Sequence, residues 1–545
     1  MRIKFLSAVA VMLCANIYVS KAQDKDIPPA TTLVYPGGDG KLVYVADSLG
    51  NRIPDFSHAG YKGGGVSIPY IPNKITVWPV PGDNTENIQA AIDKVSAMPL
   101  DASGFRGAVL LKMGTYTLEK PISIKASGVV LRGEGMSDIG TILIGKNGSQ
   151  RTPLINIAGP TPIAVQEATK QSITDKYVPV GATTFNVTSA KGFKVGDLVL
   201  VRRNGNQDWI KELGVDSASV GRNRWRPFVI TYDRIITAIK GNTVTVDAPI
   251  FTAVETRWGG GDLVKYTENR IEEVGVENLR GESDYNPTVR QTTYGNMDRG
   301  IVNKPETQYE GEEYFSDERH YYNFINFTNV KNGWVRNMEA MHFASSVVQV
   351  NAGSKYITVQ DCESREPVSI RMGARRFTFQ MNGQFCLVQR CISQKGRHSF
   401  VLQGSEASGN VYLDDTAINP YSSSETHNHW GNGILYDNVK APLTARFWKD
   451  ITIGWGGANV VMWNCEGEFL IQNPPTAKNY SFGHVGIASM IFNTGYMDLT
   501  KPRGYIESLD KHVTPRSLYL TQLKERLGME AVRQNLIGAA SRPDY

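Results

Sequence analysis

The residues of this sequence that are best suited to chemistry are histidines, and most of them lie in one part of the chain. Two of the eight, His427 and His429, are separated by one residue in the stretch THNHW, next to Trp430. Because imidazole titrates near neutral pH, a cluster of histidines favours proton transfer. Five histidines fall between residues 320 and 429: His320, His342, His398, His427 and His429.

Two other roles for the pair stay open at the level of sequence. His427 and His429 could be turn residues whose rings bond to backbone carbonyls. Together with His398 they could hold a transition metal, although no acidic residue stands at a recognisable metal-site spacing. We predict that the pair moves protons and that the site has no required metal.

The elements that would position these histidines are indicated by a repeated signature. It occurs as WVRNM, TVQDC, LVQRC, YLDDT, ILYDN and VMWNC between residues 334 and 465, at intervals of 24, 29, 25, 22 and 27 residues. Short strands at imperfect periods in the twenties indicate an all-β parallel solenoid in which each repeat is one coil. The second residues of the six copies are predicted to stack: Val335, Val359, Val388, Leu413, Leu435 and Met462.

In a solenoid, the turns that follow successive signature strands lie above one another. A groove over four such turns spans roughly 15 Å, which suits a linear polymer such as a polysaccharide. The turns contribute Glu339 and His342, then Glu363, Arg365 and Glu366, then Lys395, Arg397 and His398, then Glu425, His427 and His429.

Five side chains are predicted to bind the polymer: His342, Arg365, Arg371, Lys395 and Trp430. The face of Trp430 suits stacking on a sugar ring. An alternative is that the arginines, with Arg375 and Arg376, form a solvated face that pairs with nearby glutamates.

The cysteines fit the same repeat. Cys362, Cys391 and Cys465 share the last place of the signature with Met338 and Thr416, which predicts that they point into the coils. Cys362 and Cys391 lie on consecutive coils and could form a disulfide. We predict free thiols, because disulfide geometry is stricter than strand spacing.

The rest of the chain divides into further segments. Residues 1–22 have basic residues, an apolar run and a small-residue site before Gln23, which predicts a cleaved signal peptide; a lipid anchor at Cys14 is the alternative. The other predicted segments are an N-terminal segment (23–75), a helix with the first coils (76–164), an inserted β subdomain (165–258), the main coils (259–500) and a helical segment (501–545) that would cover the open end.

Composition narrows the class of partner. The 545 residues are 41% hydrophobic and 20% charged, as in globular proteins, and the formal net charge is only +5. This charge does not favour nucleic acid, and no later apolar run reaches the roughly 18 residues that cross a bilayer. We expect an exported, periplasmic or extracellular monomer whose partner is a polysaccharide, with no nucleic-acid or membrane partner.

Several stretches resemble a known superfamily. GDNTENIQAAID, GAVLLKMGTYTL and SGVVLRGEG are similar to the entry coils of the pectate lyase superfamily of right-handed parallel β-helix proteins. KGRHSFVLQG, the stretch from NVYLDDT to ILYDNV, and PRSLYLTQLKERLG resemble exported bacterial β-helix proteins assigned as polysaccharide lyases. The resemblance implies a right-handed β-helix over roughly residues 75 to 530, apart from the insertion.

The resemblance implies a polysaccharide lyase that cleaves a uronic-acid-containing glycan by β-elimination. Arg397 or Arg365 would neutralise the substrate carboxylate, His427 or His429 would be the base, and His398 would orient the base or act as the acid. Two alternatives are a glycoside hydrolase and a glycan-binding β-helix without catalysis. The hydrolase would use two carboxylates from Asp414, Asp415, Glu425 and Glu366. Calcium, not expected to be required, would bind Glu339, Asp361 and Glu363.

Overall fold

The protein is a right-handed parallel β-helix, as predicted. The computed structural model describes residues 28–216, 224–292, 311–449, 453–489 and 497–537; the predicted signal peptide lies outside these ranges. In the described residues, two long parallel sheets run the length of the solenoid, and their inner faces enclose one continuous apolar core. None of the described helices is long and apolar enough to cross a membrane.

The first of these sheets, named here the long sheet, contains the signature strands. Its strands pair in parallel because each coil adds one strand beside the previous one. Along its main path the strands are Asn73–Val77, Gly107–Leu111, Val129–Arg132, Ile271–Ser283, Val330–Met341, Lys355–Arg365, Leu387–Gln389, Val411–Leu413, Leu435–Asp437, Val461–Trp463, Tyr480–Phe482 and Tyr505–Glu507. Four more strands join it beside this path: Gly114–Leu118, Thr141–Gly145, Ile392–Gln394 and Thr416–Ile418.

The other parallel sheet, named here the second sheet, carries two histidines of the predicted groove, His398 and His427. It is built from the strands Ile122–Ile124, Pro153–Ala158, Asn323–Thr328, Val348–Val350, Phe377–Met381, His398–Gln403, Ser424–Asn428, Leu443–Ala445 and Phe469–Ile471. His398–Gln403 pairs with Ser424–Asn428, so His398 and His427 lie on adjacent coils, as the repeat predicted. They lie in strands of this sheet, however, and not in turns as predicted.

One bend of left-handed backbone recurs in each of the six signature coils, within or directly after the long-sheet strand. Asparagine and aspartate tolerate this conformation better than most residues, which explains why they recur in the signature. The bend falls at Asn337 (φ 52°), Asp361 (55°), Arg390 (55°), Asp414 (56°), Asn438 (56°) and Asn464 (51°).

The predicted stacking of the signature residues is correct for four of the six coils and displaced by one residue in the other two. Val335, Val359 and Val388 are register partners, but Val388 pairs with Tyr412 and not with Leu413. Tyr436, and not Leu435, continues the row toward Met462. Leu413 and Leu435 lie on the opposite face, which is also buried, so alternation of polar and apolar residues could not indicate the register.

The cysteines of the described residues are buried and unbridged, as predicted. Cys362, Cys386, Cys391 and Cys465 are free thiols. The one-residue displacement also changes the neighbour of Cys391, because Thr416 pairs with Ile392. Asp415 therefore takes the interior place, and its carboxylate accepts the Cys391 N–H at 2.7 Å.

An antiparallel sheet is inserted between the early and the main coils. In sheet order its strands are Ala164–Ser172, Gly261–Thr267, Leu198–Asn204, Val229–Lys240, Thr243–Val246 and Thr184–Asn186. Short pairs outside the large sheets are Val34–Pro36 with Leu42–Tyr44, Tyr177–Val178 with Val254–Glu255, Arg290–Thr292 with Glu313–Phe315, Gly431–Asn432 with Gly457–Ala458, and Phe447–Trp448 with Gly454–Trp455. A second apolar cluster joins the insertion to the outer face of the long sheet.

In the described parts of the chain, four α-helices lie outside the sheets: α1 (Thr85–Ser96), α2 (Gln207–Glu212), α3 (Leu518–Leu527) and α4 (Met529–Asn535). Helix α1 buries Ile88, Ala91, Ile92 and Val95 against the first coil, as predicted. Helices α3 and α4 cover the outer face of the long sheet and not its open end. The outer face of the long sheet is apolar there, so the helices pack against it. In addition, the Tyr519 N–H donates to the Asp437 carboxylate at 2.8 Å.

Candidate active site

The described structure brings Glu425 and His427 together on the second sheet. Both belong to the strand Ser424–Asn428, between His398–Gln403 and Leu443–Ala445. The register shifts there, because Leu402 pairs with Thr426 while Gln403 pairs with Asn428. His427 is the extra residue of this bulge. A bulge redirects a side chain out of the ordinary alternation, which lets His427 reach back to Glu425.

Glu425 is a buried carboxylate held by several groups. The His427 Nδ1–H donates to its Oε1, the Thr444 hydroxyl donates to Oε2 at 2.9 Å, and the Arg446 guanidinium lies 3.8 Å from Oε2. Burial alone would raise the pKa of Glu425, but His398, His427 and Arg446 outweigh it and hold that pKa below its usual value. The side chain is therefore an anion at neutral pH.

His398 lies behind this pair and is fully buried. Its Nδ1 lies 2.5 Å from the Ser423 carbonyl oxygen, and because a carbonyl only accepts, Nδ1 carries the proton. Its Nε2 has no hydrogen-bond partner among the described residues. Burial lowers the pKa of His398 well below its usual value, so the ring is neutral and its centroid lies 4.9 Å from that of His427.

Aromatic and cationic groups enclose the two imidazoles. The Phe377 ring lies 5.2 Å from His427, and the Trp448 ring lies 5.5 Å from it on an edge. The Arg446 guanidinium stacks on Trp448 at 3.5 Å. Arg397 lies beside Phe377, 5.9 Å from its ring, and donates to the Gly373 carbonyl. The site therefore has positive charge close to a proton-accepting ring.

The tautomer of His427 follows from its partner. A carboxylate can only accept, so Nδ1 of the neutral ring holds the proton and Nε2 presents a lone pair. The His427 side chain is 13% exposed, whereas those of Glu425 and His398 are at most 1% exposed. His427 is thus the ring of this cluster that an outside molecule can reach.

The structure separates His429 and Trp430 from this cluster. The His429 ring packs 4.2 Å from Trp225 and 5.4 Å from Phe228, both from the insertion, and burial lowers its pKa to about 4. Trp430 is fully buried and packs 5.0 Å from Trp209. The prediction that Trp430 offers its face to a sugar is wrong, because the insertion covers that surface.

Two of the other predicted polymer-binding residues, Arg365 and Lys395, lie in ion pairs. Arg365 pairs with Glu339 at 3.0 Å and Glu363 at 2.9 Å, and Lys395 pairs with Glu312 at 3.2 Å. These three glutamates partly neutralise the groove, in line with the solvated-face alternative.

His342 and Arg371 are less accessible than the sequence suggested. His342 lies 3.5 Å from Glu366, and burial lowers its pKa. The Arg371 guanidinium lies between the rings of Tyr314, at 3.8 Å, and Tyr421, at 3.7 Å. Arg371 therefore anchors the segment that contains Tyr314, and its guanidinium faces are covered.

The carboxylates of the hydrolase alternative do not face one another as a pair. Asp414 pairs with Arg516 at 2.7 Å on the outer side, while Asp415 points into the core, so the two lie on opposite faces. Glu425 is engaged by His427, and the side chain of Glu366 is 71% exposed beside His342.

The residues considered for calcium are engaged by arginines. Glu339 and Glu363 share Arg365, and Asp361 pairs with Arg390 at 2.8 Å on the other face of the sheet. A different group, His398, Glu425 and His427, has potential ligand atoms within 4.8 Å of one another. The alternative three-histidine metal set is not assembled, because His429 packs against the insertion.

Sequence analysis missed Thr444, Arg446 and Trp448, which complete the site. They lie one coil beyond the histidines, and Glu425 and Thr444 are register partners. The signal was present, since extending the predicted stacking by one more coil places the stretch TARFW beside ETHNH. The irregular spacing of this coil concealed it.

Comparisons with known proteins bear on the fold alone. No protein-family model and no curated protein matches this chain. Among solved structures it is similar to the tailspike protein gp49 from Pseudomonas phage LKA1, with 13% identity over 78% of this chain and 70% of that one, and a TM-score of 0.32. It is also similar to the polygalacturonase from Erwinia carotovora ssp. carotovora, with 12% identity over 83% of this chain and 96% of that one, and a TM-score of 0.34. A third similar structure is DFA-IIIase from Arthrobacter chlorophenolicus A6 without its lid, with 9% identity over 76% of this chain and 72% of that one, and a TM-score of 0.34.

Proposed function

We propose that this protein is an exported, carbohydrate-active enzyme, a polysaccharide lyase that cleaves a uronate-containing glycan by β-elimination. The observation that carries the proposal is the hydrogen bond from His427 Nδ1 to the buried Glu425 carboxylate. It fixes the ring so that Nε2 is the basic atom, which is how a carboxylate prepares an imidazole for proton abstraction.

In the proposed reaction, His427 Nε2 takes the proton from the carbon beside the substrate carboxylate. The electron pair left on that carbon forms a carbon–carbon double bond, and the bond to the glycosidic oxygen breaks. That oxygen receives a proton, supplied by the protonated His427 or by water. A positive charge beside the substrate carboxylate stabilises the negative charge that develops when the adjacent carbon loses its proton. Arg397 is the cation placed beside the cluster.

A lyase accounts for the arrangement better than a hydrolase does. Glycoside hydrolysis ordinarily needs two carboxyl groups across the scissile bond, one of them protonated. Glu425 stays ionised, and its oxygens are engaged by His427, Thr444 and Arg446. A binding protein without catalysis would not need a buried carboxylate behind a partly exposed histidine.

The proposal is tested by incubating the purified protein with uronate polysaccharides, pectins, alginates and glycosaminoglycans among them. We expect ultraviolet absorbance of the unsaturated product to rise together with reducing ends on at least one substrate. Reducing ends without absorbance would indicate a hydrolase. Binding without either product would indicate a glycan-binding protein.

We also predict that chelation leaves the activity intact. His427 already donates Nδ1–H to Glu425, and the Arg446 guanidinium offsets the charge of this carboxylate. Side chains therefore neutralise the Glu425 carboxylate without a metal ion. Turnover is measured after dialysis against EDTA and after adding back calcium or zinc. Loss in EDTA with recovery in zinc would assign a metal to His398, Glu425 and His427; recovery in calcium would direct attention to Glu339, Asp361 and Glu363.

A further inference from the structure

Arg203 is a buried guanidinium without an acidic partner. It lies on the strand Leu198–Asn204 of the insertion and is 1% exposed. Its Nε and Nη1 have no hydrogen-bond partner, and it forms no ion pair within the described residues. The neighbouring Arg202, by contrast, pairs with Asp262 at 2.5 Å and Glu167 at 2.6 Å.

A buried cation of this kind is costly unless something compensates it. The face of the guanidinium lies 3.6 Å from the Trp209 ring, which provides a cation–π contact but leaves the edge donors unmatched. Burial lowers the pKa of Arg203 to about 10, so it is still charged at neutral pH. Buried charges are ordinarily paired, and an unpaired guanidinium edge calls for an anion.

Arg203 is one of the lining residues of a cavity of about 240 Å³, which lies between the N-terminal segment, the insertion and the later coils. The other walls offer rings, amides and hydroxyls, the groups that recognise sugars: Asn51, Tyr177, Trp258, Asn459, Thr476 and Tyr480. The cavity is smaller than the roughly 300–1,000 Å³ of pockets that enclose drug-sized ligands, so it suits a single sugar unit.

The carboxylates of this cavity do not satisfy Arg203. Asp47 is held by Lys478 at 3.1 Å and by Asn51, and these bonds help to keep its pKa below its usual value although burial opposes them. Glu255 lines the cavity and attracts Arg203 electrostatically, yet it forms no ion pair with it among the described residues.

We propose that this cavity is an accessory binding site for one carboxylate-bearing sugar unit, a uronate whose carboxylate is held by Arg203. The binding of an anion rests on the unpaired guanidinium alone. The choice of a uronate rests on the proposed function and on the sugar-like lining. The site is separate from His427, because the packed rings of Trp209 and Trp430 lie beside Arg203 and belong to the core.

The test is calorimetric or ligand-observed NMR titration of the full chain with galacturonate, galactose and inorganic phosphate. Charge-assisted hydrogen bonds contribute about 1.5–3 kcal/mol, so galacturonate is expected to bind at least about tenfold more tightly than galactose. Arg203→Met is expected to abolish this difference. Equal affinity of galactose and galacturonate, or an unchanged preference in Arg203→Met, would overturn the proposal. If phosphate binds as tightly as galacturonate, the site recognises a simple anion and the proposal of a uronate is wrong.

Two controls separate binding from folding and from catalysis. Arg203→Met removes an unpaired charge, so its melting temperature is expected to stay close to that of the wild type. Ala477→Phe adds a ring at another lining residue and keeps Arg203, and it should abolish galacturonate binding even if Arg203→Met fails to fold. His427→Ala should bind galacturonate normally. Binding without lyase activity would contradict the proposed reaction only, and activity without binding would contradict the accessory site only.

Discussion

Replacing His427 with alanine is expected to lower turnover on a uronate glycan by at least about a hundredfold, because loss of a positioned base typically costs 10²–10⁴ in rate. The melting temperature should change little. The Glu425 carboxylate keeps its hydrogen bond from Thr444 and the charge of Arg446, so removing His427 does not leave a buried anion alone. The measurements are steady-state kinetics by product absorbance and thermal unfolding of the same preparations.

Matched histidine variants distinguish a base from a packing residue. His429→Ala should lower the melting temperature while sparing turnover, because its ring packs between Trp225 and Phe228. His512→Ala, at a side chain 39% exposed beside Glu466, should change neither. Free imidazole should restore part of the rate of His427→Ala. If His427→Ala keeps near-normal turnover on a substrate that the wild type cleaves, the base must be sought elsewhere in the groove.

Glu425→Gln is expected to lower kcat by about 10²–10⁴ with a smaller change in KM. The glutamine amide can donate to His427 Nδ1, which would place the ring proton on Nε2 and remove the lone pair that abstracts the substrate proton. Since the pKa of Glu425 is held below its usual value, the wild type should not lose activity through protonation of this carboxylate as the pH falls toward 5. The checks are kcat, KM and their pH profiles.

The control for Glu425→Gln is Glu366→Gln, the same change at a side chain that is 71% exposed beside His342. It should leave kcat and its pH profile unaltered. A fall in melting temperature of Glu425→Gln is expected, because Arg446 would lose its nearest anion. Equal losses of kcat in both variants, or an unaltered kcat in Glu425→Gln, would remove Glu425 from the mechanism.

Much of the fold could be predicted because its information is local and repeated. A strand, a bend and a return recur every two to three dozen residues, so the period alone indicates coils, and the asparagines and aspartates mark the left-handed bends at Asn337, Asp361 and Asn438. The exact pairing register of the long-sheet strands could not be predicted from the repeat. Leu413 and Tyr412 are both buried, one on each face, and an alternating pattern is informative only where one face is exposed to water.

For the site, the sequence by itself determined that His398, Glu425 and His427 come from consecutive coils, because coil stacking follows from the repeat. The structure places them in strands and not in the predicted turns. Only the tertiary structure decided which histidine stays accessible. Trp225 and Phe228, about 200 residues earlier in the chain, cover His429, while Arg446 and Trp448 arrive from the next coil. The packing of His429 depends on which surface the insertion covers, and the residues beside His429 in the sequence do not indicate that surface.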